Sequence, residues 1–435
     1  MPSTRTPDDA QANVNLEASD KPNGGLHSSF ATVVAGMGIR AALQAVLTIL
    51  LARLLGRMDY GACVVIGSVA AFFSVWAGFG AAALHLRDAA IAPHMWQDSF
   101  VVRHISLWKT QAPLLVLALL AAWLIAGSEA SFLALLLLIV GDLLGIPAAD
   151  LLVRSYQGRE RYAEMALAMC VLPLTRVVFL IFFAITHGSL DLVAWSFINF
   201  LTGAAMAVLV AVMAAKAERG ATNASQQYSK EYCSGLSFSL AAASSRIHAD
   251  ADKAIIAKLS SFGIAGEYSL AYRMMDVLLL PINGMIEWSM RALFQHGKGG
   301  LVASLAALWR RWLVLLGLAL LACAFAYLLS PVLPIIFGEE FAEAVIIGRW
   351  LSLLPFTTAI WMIVRSIMTT TENQKFIGLV ELMGAGLSVA FGVLLVTHYG
   401  WRGAVLATYG THIAMTLIVV GAVVRQFDSL TQKSG

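Results

Sequence analysis

Residues 246–253 read RIHADADK, and five of these eight side chains carry charge or can acquire it: Arg246, His248, Asp250, Asp252 and Lys253. The flanks are apolar, CSGLSFSLAAASS before and AIIAKL after. Cations set among carboxylates in an apolar chain can do two kinds of chemistry: bind an anion, or trade partners with a proton or small cation. Arg246, Asp250 and Lys253 follow i, i+4, i+7 spacing, which is one face of a helix. Arg273, Asp276, Asn283, Glu287 and Arg291 form a second stripe, within an arc of about 80° at 100° per residue. Thr32, Gly36, Arg40, Gln44 and Thr48 form a third, at four-residue spacing. Asp142, Arg176, Arg365 and His412 are further ionisable residues in the middle of apolar runs.

Other chemistries lack their residues. HGKGG at 296–300 does not fit the G-x-x-x-x-G-K-[ST] phosphate loop, so hydrolysis of ATP by this chain is not expected. There is no H-E-x-x-H or C-x-x-C, the spacings that hold a catalytic metal or a redox pair. The four cysteines, Cys63, Cys170, Cys233 and Cys323, are far apart and read as small core residues. The expectation is a protein that is not an enzyme, with no metal, no cofactor and no nucleic-acid partner.

The elements that carry these stripes must be membrane helices. Hydrophobic residues make up 59% and charged residues 13% of the chain, and mean hydropathy is +0.77. Apolar runs of about 20 residues recur throughout, each long enough to cross the hydrocarbon core. In lipid each backbone polar group must pair within its own segment, so the spans are helices. About twelve are expected, at 30–54, 61–84, 106–126, 131–153, 163–186, 191–215, 233–257, 264–290, 312–336, 341–369, 376–398 and 401–424. SFVVRHISLWKTQAPLL, at the start of the third, reads first as an amphipathic surface segment. Lys and Arg concentrate in the loops after even-numbered spans, which places those loops and both termini in the cytoplasm. Residues 1–29 are polar, lack the apolar core of a signal peptide and are expected to be a disordered tail.

A repeat organises the spans. LARLLGRMDYG at 51–61 resembles IAKLSSFGIAGEY at 256–268, with Arg53 over Lys258 and Gly61 over Gly266 at an offset of 205. RS at 154–155 and 365–366, and glycines 188 and 400, continue the match in order. The expected architecture is an all-α polytopic membrane protein with two parallel, pseudo-symmetric six-helix lobes, 30–216 and 233–425. A cytoplasmic linker, 217–232, joins them, and 426–435 form a cytoplasmic tail. Transporters with this symmetry bind substrate between the halves near the bilayer midplane. Arg246 lies about ten residues, or roughly 15 Å, into its span. The offset carries Arg40 to Ser245, beside it. Arg40, Arg246, Arg273 and Gln44 are therefore the candidate substrate-binding residues. Asp250, Asp252, Asp276 and Glu287 are the candidates for coupling to H+ or Na+. Intrahelical pairing of Arg246 with Asp250, and of Arg273 with Asp276, is the structural alternative.

Several segments resemble one family. ILLARLLGRMDYGACVVIGSVAAFFSVWAGFGAAAL is similar to the first hairpin of the Wzx-type polysaccharide flippases of the MOP (multidrug/oligosaccharidyl-lipid/polysaccharide) superfamily. YQGRERYAEM at 156–165 resembles the turn after the family's fourth span. DADKAIIAKLSSFGIAGEYSLAYRMMDVLLLP resembles its seventh-to-eighth span signature, and FGEEFAEAV and YGWRGAVLAT match its late turns. The resemblance covers roughly residues 30–425. It implies a MATE-like, V-shaped bundle in the bacterial inner membrane that flips an undecaprenyl-diphosphate-linked oligosaccharide to the periplasmic leaflet. The product would feed exopolysaccharide, O-antigen, lipopolysaccharide or capsule assembly, with polymerase and export machinery as partners. Two rival readings stay open: a cation-coupled multidrug exporter of the same superfamily, and a membrane-embedded polysaccharide polymerase or ligase. The exporter would favour an acidic, aromatic cavity. The polymerase or ligase would need a large periplasmic loop, and the loops here are short.

Overall fold

The computed structural model describes residues 24–127, 129–188, 190–218, 235–297, 308–370 and 374–434, and every regular element among them is helical. The first run, Gly24–Ser74, is 51 residues long and breaks at Gly56 (φ 73°, ψ 176°), a backbone position that suits glycine. A straight helix of that length would be about 76 Å long at 1.5 Å per residue, more than twice the hydrocarbon thickness of roughly 30 Å. Instead the chain folds back. Gln44 and Thr48 before the break line the same cavity as Gly67 and Ser68 after it. We call the two arms α1 (24–55) and α2 (57–74).

The N-terminal lobe continues with α3 (Ala81–Ile91), α4 (Trp96–Ala126), α5 (Phe132–Gly158), α6 (Tyr162–His187) and α7 (Leu192–Glu218). The C-terminal lobe holds α8 (Leu236–Leu259), α9 (Phe262–Gly297), α10 (Trp309–Leu329), α11 (Leu333–Phe337), α12 (Ala344–Leu351), α13 (Leu354–Thr370), α14 (Gln374–Tyr399) and α15 (Trp401–Ser434). Grouped with α2 and α3 as the second, α10 and α11 as the ninth, and α12 and α13 as the tenth, the described residues hold twelve helical segments in two sets of six. Most helix packing is within a lobe, and the hairpin α1–α2 carries the main contacts to α8 and α9. Nine helical segments among the described residues are long and apolar enough to cross a membrane on composition alone, and α8 and α9 are not among them. Their charged stripes are what lower their hydropathy.

Three boundaries differ from the sequence reading. Helix α1 starts at Gly24, inside the stretch expected to be a tail, and α15 runs to Ser434, through the residues read as a second tail. No proline interrupts either extension. The segment before residue 106 is not a surface helix but the first third of α4. Its Ser99 and Arg103 face α3. Arg103 pairs with Asp88 at 2.8 Å, Ser99 Oγ donates to Asp88 Oδ2 at 3.0 Å, and Ser99 Oγ lies 3.0 Å from His85 Nδ1. Residues 1–23, most of the 217–232 linker and Gly435 lie outside the described residues.

Glycine allows the closest helix crossing in the N-terminal lobe. A Cβ on Gly203 of α7 would sit 2.0 Å from the Gly141 carbonyl oxygen of α5, and one on Gly145 would sit 2.8 Å from Gly203 Cα. Small residues let membrane helices meet backbone to backbone in this way.

Candidate functional site

That crossing positions the first half of the site. With α5 and α7 in contact, Asn199 Nδ2 reaches Asp142 Oδ1 at 3.2 Å and the Leu138 carbonyl at 3.2 Å. Arg176 of α6 donates through Nη2 to the same Asp142 oxygen at 2.6 Å. This Asp142–Arg176–Asn199 group faces a cavity of about 420 Å³ between the lobes.

The C-terminal wall is the charged stripe of α8 with its neighbours on α9. Asp250 sits between two cations, 3.8 Å from Arg246 Nη1 and 3.1 Å from Lys253 Nζ. Lys253 also lies 3.6 Å from Asp252 Oδ1, donates to the Ala249 carbonyl, and stands 4.6 Å from the ring centre of Tyr272. Arg273 and Asp276 of α9 complete the wall, and Gln44, Thr48, Tyr60 and Ser68 of the α1–α2 hairpin span the remainder. The lining carries four cations, Arg176, Arg246, Lys253 and Arg273, against three acids, Asp142, Asp250 and Asp276. The excess of one positive charge suits an anion, but most of the cations are already engaged with carboxylates.

The structure sorts the predicted residues. Gln44, Arg246, Arg273, Asp250 and Asp276 line the cavity together. Arg40 does not: it is exposed, one helical turn short of Gln44, and makes no ion pair or hydrogen bond among the described residues. The repeat put it at the depth of Arg246, but α1 turns it out of the lining. Asp252 also leaves the lining, because it lies about 200° from Asp250 around the helix. It is buried at 7% exposure, accepts from the backbone N–H of its neighbour Lys253 at 2.8 Å, and its Oδ2 has no hydrogen-bond partner among the described residues. Glu287 falls on α9, but its side chain lies outside the described residues. Arg365 and His412 belong to a separate C-terminal group. There Arg365 Nε meets Glu381 at 2.7 Å, His248 Nε2 lies 3.1 Å from the Glu381 carbonyl, and His412 Nδ1 lies 3.4 Å from Thr357 Oγ1. Asn199 carried no signal in the sequence, since a lone amide in SFINF gains meaning only from its neighbours across α5.

One end of the cavity is sealed by contacts between the lobes. Arg57 Nε lies 2.9 Å from Glu267, which is fully buried, and the Arg57 N–H donates to Glu340 at 3.2 Å. Arg53 donates to the Ile336 and Ile335 carbonyls at 2.7 and 2.8 Å. Tyr60 meets Phe341 edge to face at 5.9 Å, and a Cβ on Gly61 would lie 1.8 Å from the Phe262 carbonyl oxygen. Toward the other end, α1 is exposed from Met37 to Ala42, and α9 is exposed at Asp276, Val277, Leu280, Pro281 and Gly284.

The helical fold is shared by solved structures. The chain has the fold of MOP-superfamily transporters. It is similar to an inward-facing multidrug resistance MATE family transporter, at TM-score 0.73 and 15% identity over 93% of this chain and 100% of that one. It also resembles an outward-facing transporter of that family, at TM-score 0.57 and 16% identity over 93% and 95%. A MOP superfamily transporter from Pyrococcus furiosus, described as having a binding pocket of reverse polarity, aligns at TM-score 0.61 and 15% identity over 93% and 95%. Residues 26–293 match the family described as polysaccharide biosynthesis protein, and the chain belongs to that family. No curated protein matches it.

Proposed function

We propose that this protein moves an undecaprenyl-diphosphate-linked oligosaccharide from the cytoplasmic to the periplasmic leaflet by alternating access of its two lobes. The observation that carries this reading is Arg246. It faces the inter-lobe cavity with 46% of its side chain exposed, and its only ion pair among the described residues is the loose 3.8 Å contact with Asp250. A guanidinium so placed has donors to spare for a diphosphate, whose oxygens match its planar fork. The sugar would fill the polar remainder of the cavity while the lipid chain stays in the bilayer. Family membership supports a substrate from polysaccharide assembly. The sealed seam at Arg53, Arg57 and Glu267, together with the better match to an inward-facing relative, supports a state open to the cytoplasm, with both termini on that side. Asp250 and Asp276 are the cavity acids suited to coupling, since a phosphate at Arg246 would draw away one of the two cations beside Asp250 and favour a proton or Na+ there. A multidrug exporter for cations would be served poorly by a lining with more cations than acids.

The test is complementation of polymer export in a strain lacking this gene, with expression controls. Arg246→Ala is expected to abolish export while the protein still accumulates in the membrane, and Arg246→Lys to restore it partly, because charge returns without the fork. Full export by the alanine variant would refute the reading.

A further inference from the structure

We propose that Arg176 is the N-terminal lobe's own ligand for the anionic head group, so that a bound diphosphate is held across the lobe interface, by Arg176 on one wall and Arg246 with Arg273 on the other. The inference rests on the diphosphate reading of the cavity and adds to it a ligand and a way for the substrate to join the lobes.

Arg176 is committed less than its ion pair suggests. Among the described residues its guanidinium makes one hydrogen bond, from Nη2 to Asp142 Oδ1, and its Nε is buried without a partner. A guanidinium offers five N–H donors in a fixed plane. Arginine and carboxylate that exist only to neutralise each other commonly meet through two parallel bonds. Here Asp142 turns a single oxygen to both Arg176 and Asn199. Asn199 is anchored in turn by the Leu138 carbonyl and by the glycine crossing of α5 and α7. Asp142 and Asn199 thus position the guanidinium at the cavity wall, where Asp142 engages one of its five donors. An anion can add to Arg176 without expelling Asp142.

The placement has a consequence for movement. Arg176 stands on α6 and Arg246 on α8, in different lobes, yet both line one cavity. An anion that touches both draws the walls together, whereas one bound to the C-terminal wall alone would leave the lobes indifferent to it. A cationic drug would have no such effect on two arginines.

Titration calorimetry of the purified full-length protein with inorganic pyrophosphate tests this. The wild type is expected to bind, and Arg176→Ala to weaken binding about tenfold or more, the loss typical of one charge-assisted contact. Arg176→Ala also strands Asp142, so a paired variant is needed. Asp142→Asn with Arg176→Gln removes both charges at nearly constant shape. If the pair is only a structural bridge, this variant binds pyrophosphate like the wild type, and the proposal falls. If Arg176 is a ligand, it binds as weakly as Arg176→Ala. Asp142→Asn alone keeps the arginine and leaves an amide oxygen to position it, so binding close to the wild type is expected, and a tenfold loss would count against the proposal. Arg246→Ala separates the two readings. Loss of binding there, with the Arg176 variants unaffected, keeps the diphosphate cavity and overturns its N-terminal ligand. Failure of the wild type to bind pyrophosphate overturns both.

Discussion

Lys253 holds the charge balance of α8. It is 5% exposed, and its ammonium faces Asp250, Asp252 and the Ala249 carbonyl at once, with the Tyr272 ring beside it. A charge in that position is tolerated because its partners surround it, and removing it leaves the buried Asp252 uncompensated and Asp250 with only the loose Arg246 contact among the described residues. Lys253→Met is therefore expected to destabilise the protein by about 3–5 kcal/mol, read as a lower melting temperature in detergent. Adding Asp252→Asn, which removes the more buried acid, should recover a large part of the loss. If Lys253→Met melts like the wild type, the lysine is a surface-like residue and the account of the wall is wrong. Asp250 is different, because it is shared between two cations and faces the cavity. Asp250→Asn is expected to fold, to flip substrate more slowly in proteoliposomes and to show a flatter dependence on pH, whereas an unchanged pH profile would reduce Asp250 to a static bridge.

Helices α5 and α7 set the precision of the N-terminal wall. Their backbones touch at Gly141 and Gly203, and the three side chains at the cavity inherit their spacing from that contact. A leucine at 203 has no room, because its Cβ would lie 2.0 Å from a main-chain oxygen rather than from a side chain that could swing away. Gly203→Leu should force the helices apart and cost about 1–3 kcal/mol. Pyrophosphate affinity should fall with it, since Asn199 would no longer hold Asp142. Gly38 has nothing within 4 Å of an added Cβ, so Gly38→Ala is the matched control and should leave both measurements unchanged.

At the scale of the whole molecule, the sealed seam predicts where movement occurs. Arg53 and Arg57 bind the α1–α2 hairpin to α9 and to residues 335–340 through one ion pair, one carboxylate cap and two carbonyl contacts. All of these must break if the cavity is to open at that end. A short dithiol-reactive linker between Arg57→Cys and Glu267→Cys should stop flipping, and cleaving the linker should restore it. Continued flipping in the linked protein would show that the lobes do not part there. Orientation is tested separately by reporter fusions, expected to read cytoplasmic at Gly158 and periplasmic at Glu339. The reverse result would invert the topology.

The sequence alone determined the class, because a shortage of charge and a surplus of 20-residue apolar runs leave only membrane-spanning helices, and the offset between LARLLGRMDYG and IAKLSSFGIAGEY exposed the two six-helix halves. It also put Arg246, Asp250 and Lys253 on one face of α8 through their i, i+4, i+7 spacing, and the three line one cavity. Helical periodicity is a local property and can be read in one dimension. What lay beyond it was decided by packing. Arg40 matched Arg246 in depth, but the rotation of α1 about its axis, set by contacts such as Gly36 on Ala166, left it outside the lining. Asp252 sat in the charged segment and turned into the protein instead of the cavity. Asp142, Arg176 and Asn199 come from three helices, 57 residues apart at the extremes, and became one group only where two glycines let α5 and α7 touch. Depth in the membrane follows from counting residues along one helix, whereas azimuth and partnership depend on the surfaces of its neighbours.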